Sequence, residues 1–445
     1  MRNFFLIPCL IYAPGFAAAA GHYDALSYSV ELSLTASELD DVSFGGDPDV
    51  ERSVEEELEL AFSIEYQAGD RLYFIFGGSL IDETEEVEPR GARESLSGFE
   101  RGEMGIGYLF GENVESEIRA GRQEFVNLSH WWYWWDEDLD SISLNSRSGK
   151  YEFLVAVAEE QAREVSDMDR IDPELEDVRR VLANFDWEFA DGQFLQLYYL
   201  DQEDGSSSQM AGDFVDEDRI DEEDTDLTWT GVSYLGWFEH DNLGEFEVEL
   251  AWAHVGGRET VYEFDDPADG RAEVEEITRQ RVSGDAYGVR VDWTPARFDD
   301  FTLFLAHARG SGDDPDKDDG VDDSFRQTGL QGEADIFGEL YQPELSNLIV
   351  DTVGIKFSFD DIDIELLHHD YRQDEAAGEM RDVAIEADTE GAGKSLGSEI
   401  DLILTFDVYD VEIELIAAEF EAGDAYGEFG GESSRYWQVE LTYVF

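Results

Sequence analysis

The chain has 445 residues, and its 108 Asp and Glu against 29 Lys and Arg give a formal net charge of −79 at pH 7. Such a chain repels nucleic acid and anionic membrane surfaces at long range, so no nucleic-acid partner is expected. An aromatic content of 13% excludes an acidic disordered protein, and a single cysteine, Cys9, excludes an internal disulfide. The charge instead predicts a salt-adapted surface and a marine or halophilic source.

Residues 1–20 predict an export signal. A basic residue at the second position precedes an apolar run over 4–12, and an Ala-x-Ala cleavage site ends at Ala20. Cleavage there leaves residues 21–445 as a single domain. A lipoprotein signal at Cys9 is disfavoured, because Ile and Pro precede the cysteine where small residues are required.

No later stretch reaches the 18 or so apolar residues of a spanning helix, so a membrane crossing would use strands. Segments of about ten residues alternate apolar and polar side chains, as strands between lipid and a watery lumen do. In 244–256, for example, Phe246, Val248 and Leu250 alternate with glutamates. About 18 such segments are predicted, at 23–34, 54–66, 71–82, 100–110, 114–125, 138–147, 151–164, 179–190, 193–203, 227–240, 244–256, 284–295, 300–309, 347–359, 362–372, 396–407, 411–420 and 434–445.

Short and long connections alternate between these segments. Turns such as QAGD, FGEN, RSGK and ADGQ join segments two to three, four to five and so on, whereas every other connection is longer. This pattern predicts an all-β fold, a transmembrane antiparallel β-barrel with short periplasmic turns and long acidic extracellular loops. A soluble β-sandwich packs about seven to nine strands, and nothing in its fold requires short and long connections to alternate. The longest loops are expected at 204–226, 257–283, 310–346 and 373–395.

The last segment adds a separate signal. Apolar residues alternate from Trp437 to an aromatic chain end at Phe445. Bacterial outer-membrane barrels have similar endings, which their assembly machinery reads. The sequence therefore predicts a barrel in the outer membrane of a Gram-negative bacterium, with outer-membrane lipid and that machinery as partners.

Three clusters suggest chemistry. The run HWWYWWDEDLD at 130–140 offers rings for membrane anchoring or for stacking on sugars, and both interpretations stay open. The loop DDPDKDDGVDD at 313–323 departs from an EF-hand at Asp319 and Phe325, although loose binding of divalent ions stays open. The pair His368-His369 belongs to no HExxH pattern. We predict no catalytic residue, no cofactor and no metal site, and hence no enzyme.

Basic residues are few, so their positions are informative. Arg122 breaks the parity of its strand, and the preceding glycine is interpreted as a bulge that turns it inward. Cations that face a pore select ions, or they form salt bridges with carboxylates such as Glu117, Asp186, Glu188 or Asp292, and both roles stay open. Strand parity predicts four further lumen cations: Arg119, Arg147, Arg290 and Lys356.

Several stretches resemble the alginate-export family of outer-membrane porins. The cluster between 324 and 404 is the most specific, and the first hundred residues match only in pattern. The stretches are AGRQEF at 120–125, WWDEDLDSISL at 134–144, SFRQTGLQ at 324–331, GELYQPELSNL at 338–348, HHDYRQ at 368–373 and GSEIDLIL at 397–404.

The resemblance implies a monomeric barrel of 18 strands whose arginine-lined pore passes an anionic polysaccharide such as alginate by facilitated diffusion, without a cofactor. The arginines it implies for substrate contact are Arg122, Arg326 and Arg372, with Arg119 beside the first. By pattern alone, Arg326 falls in a loop and Arg372 shares the parity of Leu366. The alternative is a porin of the same fold for other small solutes, cations or oligosaccharides.

Overall fold

The structure is a computed structural model that describes most of residues 25–445. The expected signal at 1–20 and the aromatic part of the run at 130–140 lie outside the described residues. No helix in the described part of the chain is long and apolar enough to cross a membrane. The description leaves out 1–24, 42–43, 45–49, 90–91, 112–113, 127–135, 160–176, 206–208, 217–218, 222, 266–269, 299, 315–316, 318–319, 331–336, 360–361, 378–379, 382, 386, 388 and 390–392.

Eighteen antiparallel strands close into one ring, which confirms the predicted all-β barrel. Every predicted segment coincides with one of them. Two further short strands, β10 and β15, are not counted among the eighteen; both pair with β13. In chain order the strands are β1 (Leu26–Asp40), β2 (Val50–Gln67), β3 (Leu72–Pro89), β4 (Ala92–Phe110), β5 (Glu115–Val126), β6 (Asp136–Ser148), β7 (Tyr151–Glu159), β8 (Arg179–Ala190), β9 (Gln193–Glu203), β10 (Phe214–Asp216), β11 (Glu223–His240), β12 (Gly244–Phe264), β13 (Arg271–Thr294), β14 (Phe301–Gly310), β15 (Val321–Asp322), β16 (Leu348–Phe359), β17 (Ile362–Gln373), β18 (Ser395–Val408), β19 (Val411–Ala422) and β20 (Ser433–Val444).

The first and last strands close the ring. β1 pairs antiparallel with β20, from Glu31 opposite Val444 to Asp40 opposite Arg435. Closure removes both sheet edges, which a barrel in lipid requires because unpaired backbone groups are costly there. The start of β1 and the end of β20 lie on the side of the short turns. We call this side the short-turn end and the opposite side the long-loop end.

The two faces of each strand differ as the alternation predicts. On β12, Leu250 points outward and is 46% exposed, whereas its neighbour Glu249 points into the barrel and is 4% exposed. Trp252 continues the outer face beside Tyr287 of β13. A band of exposed apolar and aromatic side chains therefore surrounds a polar lumen, as in outer-membrane barrels.

One predicted loop is wrong. The segment 257–283 is mostly strand, because β12 continues to Phe264 and β13 begins at Arg271. Cross-strand pairs such as Thr260 opposite Arg279 extend the hairpin beyond the apolar band. Charged residues interrupt the alternation of apolar and polar side chains in this stretch, so no apolar face is recognisable. Its β-branched residues nevertheless favour strands.

Loop residues turn into the lumen at the long-loop end. We name the described residues 323–330 and 337–347 the inner segment; all of them but Asn347 belong to the predicted loop 310–346. Its backbone at Phe325 contacts Gly284, an inward-facing residue of β13. The core of the protein therefore lies in the lumen at the long-loop end rather than within the barrel wall. Its largest fully buried side chains include Leu200, Trp229, Phe325, Tyr341, Tyr371 and Phe420.

Candidate functional site

The inner segment is held by a carboxylate of the barrel wall. Glu399 of β18 is fully buried, and its two oxygens accept hydrogen bonds from the backbone N–H of Leu340 at 2.7 Å and of Tyr341 at 3.0 Å. The Tyr371 hydroxyl also donates to Glu399, at 3.2 Å. Glu399 therefore fixes where the inner segment crosses the lumen.

Glycine is required at the tightest point of this contact. Gly338 has φ +119°, and a Cβ atom there would lie 2.4 Å from the Tyr371 hydroxyl oxygen and 2.8 Å from the Glu399 carboxylate. Both the backbone angle and the space exclude a larger residue. Gly338 is the first residue of the GELY stretch, so this stretch of the sequence begins with the glycine that the contact requires.

Aromatic rings pack the other side of the inner segment. The Tyr341 ring stacks on Phe420 with centroids 4.6 Å apart, and its hydroxyl lies 3.0 Å from that of Tyr426. Burial raises the pKa of Tyr341 well above the usual 10 and that of Tyr426 to about 12. Both phenols are therefore neutral at physiological pH and act as hydrogen-bonding, apolar packing groups.

Arg326 is a structural part of the inner segment. Its guanidinium donates to both oxygens of Glu259 on β12, at 3.0 and 3.1 Å, and to Asp322 at 2.5 Å. Burial opposes the charge on both Arg326 and Asp322, but their attraction outweighs it, raising the pKa of Arg326 and lowering that of Asp322. Arg381 joins Glu259 from a second loop, at 3.1 Å. Arg326 is thus buried and satisfied within the fold.

Two lumen cations lie on the β5 and β6 wall. Arg119 forms an ion pair with Glu103 at 2.6 Å. The Nε of Arg147 donates to Glu152 of β7 at 2.9 Å. Their side chains are 22% and 45% exposed, respectively. Each cation is therefore neutralised by one carboxylate and still reachable from the lumen.

Two more lie on the β13 and β16 wall, nearly opposite in the ring. Arg290 binds both oxygens of Asp292 at 2.9 Å, and Lys356 lies 3.7 Å from Asp363. Glu365 interacts electrostatically with both cations. A cavity of about 350 Å³ beside Arg290 is otherwise lined by carboxylates, namely Glu247, Glu249 and Asp292.

Arg122 and Arg372 do not offer a free charge to the lumen. Arg122 is 2% exposed, and its Nε donates to the carbonyl oxygen of Arg101 at 3.0 Å. The strand ladder runs through Gly121 without a register shift, so the expected bulge is wrong. Arg372 shares the outward face of β17 with Leu366, where it binds Asp351. Both arginines were expected to line the pore, and their positions do not match that expectation.

The other clusters resolve into ordinary contacts. His368 and His369 face opposite sides of β17, as consecutive strand residues must, and His369 lies 3.2 Å from Asp401. In the acidic loop, Lys317 forms an ion pair with Asp323 at 2.9 Å. Within the described residues, one group of three acids has ligand atoms within 4.8 Å of one another: Glu55, Glu57 and Glu83.

Comparison with known proteins places the chain in a family. The family model for alginate export matches residues 104–440, which is well over half of the chain. The chain belongs to the alginate-export family. It is 26% identical over 307 residues to the alginate production protein AlgE of Azotobacter vinelandii, covering 64% of this chain and 61% of that protein. It is 24% identical over 345 residues to AlgE of Pseudomonas aeruginosa, covering 70% and 67%.

Solved porins share the fold of this family member. Pseudomonas aeruginosa OccK5 (OpdH) superposes with a TM-score of 0.55 at 12% identity, covering 96% of this chain and 99% of that one. OprD from the same organism gives 0.53 at 11%, covering 94% and 93%. These likenesses show the fold alone. The family, the closed barrel and its apolar outer band place the protein in the outer membrane of a Gram-negative bacterium.

The family stretches meet at the inner segment. Tyr341 comes from GELYQPELSNL, Tyr371 from HHDYRQ, Glu399 from GSEIDLIL and Arg326 from SFRQTGLQ. In this alginate-export barrel, these side chains anchor or form the inner segment. The resemblance therefore located the stretches that shape the lumen, although the one residue among these four to which it gave a role, Arg326, was assigned as a solute contact.

An inward-facing cation of the barrel wall was missed from the sequence. Arg180 of β8 is buried on the inner face and donates to Gln202 at 2.9 Å, while Arg179 points outward. Two consecutive arginines in a strand must face opposite sides, so one had to point inward. That signal was present in the sequence.

Proposed function

We propose that this barrel is a diffusion channel that passes an anionic polysaccharide such as alginate. Its family and the names of its relatives support that substrate class. The observation that carries the proposal is the presence of partly exposed lumen cations on two nearly opposite walls, Arg119 with Arg147 and Arg290 with Lys356. The channel needs no cofactor and performs no covalent chemistry.

Exchange of ion-pair partners provides a path for the polymer. A guanidinium has five N–H donors, so Arg147 can donate hydrogen bonds to Glu152 and to a uronate carboxylate at the same time. A uronate bound at one cation is released when the next wall competes for the chain. Binding at each step is weak because the barrel's own carboxylate competes, and weak binding favours movement.

The acidic lumen sets the conditions for this passage. Carboxylates such as Glu247 and Glu249 repel a polyuronate when charges act over about 10 Å, the Debye length near 0.1 M salt. Near 1 M salt the length falls to about 3 Å, and repulsion acts only at contact. The salt-adapted composition and the substrate are thus compatible at high ionic strength.

A second candidate follows from the same carboxylates. The cavity beside Arg290 has three acids and one base, which favours cations over anions. A porin of this fold for small cations or neutral oligosaccharides would need no contact with uronates.

Planar-bilayer recording separates the two candidates. We expect cation-selective current at 0.1 M salt, and block by oligouronates that strengthens towards 1 M salt. The variant Arg147→Gln with Lys356→Gln should weaken block severalfold. The control Arg372→Gln with Arg435→Gln removes two charges from the outer face and should leave block unchanged. Cation selectivity without uronate block at either salt concentration would overturn the proposal in favour of the second candidate.

The remaining features of the proposal come from the sequence. Residues 1–20 act as a cleaved signal and 21–445 as the mature barrel. The barrel acts as a monomer, is inserted by the outer-membrane assembly machinery, and keeps its long loops outside the cell. Mass spectrometry of the secreted chain and its size in detergent would test the first two points.

A further inference from the structure

The outer wall carries three arginines that have no carboxylate partner in the described part of the chain. They are Arg258 on β12 and Arg279 and Arg281 on β13, and no ion pair or hydrogen bond involves their side chains among the described residues. Most other described basic side chains are held by an acid. In a chain of net charge −79, an unneutralised cluster of this kind is unexpected.

The three arginines share one outward face. Arg258 stands directly opposite Arg281 in the strand ladder, and Arg279 lies two residues further along β13. Their neighbours Glu259 and Gln280 point the other way and bind each other at 2.7 Å beneath the wall. We name Arg258, Arg279 and Arg281 the arginine patch.

The barrel itself gives the patch little stabilisation. Like charges directly opposite each other in a sheet are destabilising, so Arg258 beside Arg281 has a cost unless an anion lies between them. Asp226 stands opposite Arg258 in β11 without reaching an ion pair. Asp285, further down the same face, is engaged with His254 at 3.1 Å. The geometry favours an external anion.

The height of the patch narrows the choice of anion. Trp252 and Tyr287 face each other at the top of the exposed apolar band, and Arg258 and Arg281 each lie six residues beyond them. With about 3.3 Å per residue and a tilt near 40°, the patch stands about 15 Å above that aromatic level. Lipid headgroups end below this height, whereas the inner sugars of an outer-leaflet glycolipid reach it.

We propose that the arginine patch binds the phosphorylated inner core of a lipopolysaccharide molecule beside the barrel. Guanidinium groups match phosphate in bidentate fashion, and three within one cluster suit several phosphates or sugar acids on one core. The contact is local and therefore compatible with the long-range repulsion of the whole chain. It anchors the extended β12–β13 hairpin, whose inner face holds the inner segment through Glu259.

The test measures glycolipid retained by the full-length barrel. Wild-type protein, reconstituted in phosphatidylcholine vesicles with rough lipopolysaccharide, is extracted in EDTA, and bound glycolipid is counted by native mass spectrometry. We expect retention by the wild type, and retention lower by tenfold or more, on the order of what three basic residues provide, in Arg258→Gln/Arg279→Gln/Arg281→Gln. The matched control Arg71→Gln/Arg93→Gln/Arg297→Gln removes three other exposed charges and should retain as much as the wild type.

Further outcomes decide the identity of the ligand. Enzymatically dephosphorylated lipopolysaccharide should be retained poorly by the wild type. Equal retention by the patch variant and the wild type, or no loss on dephosphorylation, would overturn the proposal, as would displacement by oligouronates at equal concentration. Uronate block in bilayers should be unaltered in the patch variant, so failure here is distinguishable from failure of the channel function.

Discussion

The two halves of the lumen are built on opposite principles. Towards the long-loop end, Tyr341 and Phe420 are buried, and Glu399 fixes the inner segment by hydrogen bonds to its backbone. Towards the short-turn end, Arg147 and Glu249 belong to a lumen of paired charges, and Arg147 stays reachable. From this difference we infer that packing sets the width of the pore, whereas exchangeable ion pairs set its preference among solutes.

The largest effect is expected from Tyr341→Ala. Loss of a buried ring that stacks on Phe420 should cost the inner segment about 4 kcal/mol of packing. Because the strands close the barrel without it, the segment should leave the lumen while the ring of strands persists. Single-channel conductance should rise at least about twofold. In SDS gels the unheated barrel should still migrate as the folded form. Phe298→Ala, at an exposed turn, serves as the control; equal conductance in Tyr341→Ala and the wild type would show that the segment does not narrow the pore.

A smaller effect is expected from Glu399→Ala. This change leaves the N–H groups of Leu340 and Tyr341 without their acceptor, which should cost the inner segment about 3 kcal/mol. Brief openings to a higher conductance should appear in single-channel traces. Glu399→Gln keeps one acceptor oxygen and should lie between the two, whereas Glu421→Ala, exposed on the outer wall, should resemble the wild type. Identical traces for all of these variants would contradict the anchoring role.

Alkaline pH should destabilise the packing of the lumen at the long-loop end. The pKa of Tyr426 is raised from 10 to about 12 in the fold, so the folded state favours the neutral phenol. Its stabilisation is complete below pH 10 and is lost as the pH rises through about 12. Conductance should therefore stay constant to about pH 10 and increase above it. Tyr426→Phe should weaken this pH dependence; a transition near pH 7 would point to other groups.

The smallest effect on stability is expected in the short-turn half. Arg147 is 45% exposed, so breaking its pair with Glu152 should change the free energy of unfolding by less than about 1 kcal/mol. Urea unfolding of Arg147→Gln, Glu152→Gln and the double variant measures the coupling. Charge selectivity in bilayers should shift in opposite directions in the two single variants. A coupling of several kcal/mol would mean that this pair is structural, like Arg326 with Glu259.

The wall could be predicted from the sequence because its pattern is local. Phe246, Val248 and Leu250 alternate with glutamates whatever the rest of the chain does, and the parity of Leu366 already placed Arg372 outside. The inner segment follows no period, since its path depends on Glu399 meeting Leu340 across 59 residues. Arg326 fell in a predicted loop, and nothing local shows that a loop turns inward.

Release of a labelled polyuronate from vesicles that contain the purified barrel shows directly whether the barrel passes this polymer. We expect release at about 1 M salt, slower release near 0.1 M, and loss of most release in Arg147→Gln with Lys356→Gln. Passage of small cations across the same vesicles, with the polyuronate kept inside at both salt concentrations, would contradict a polysaccharide channel.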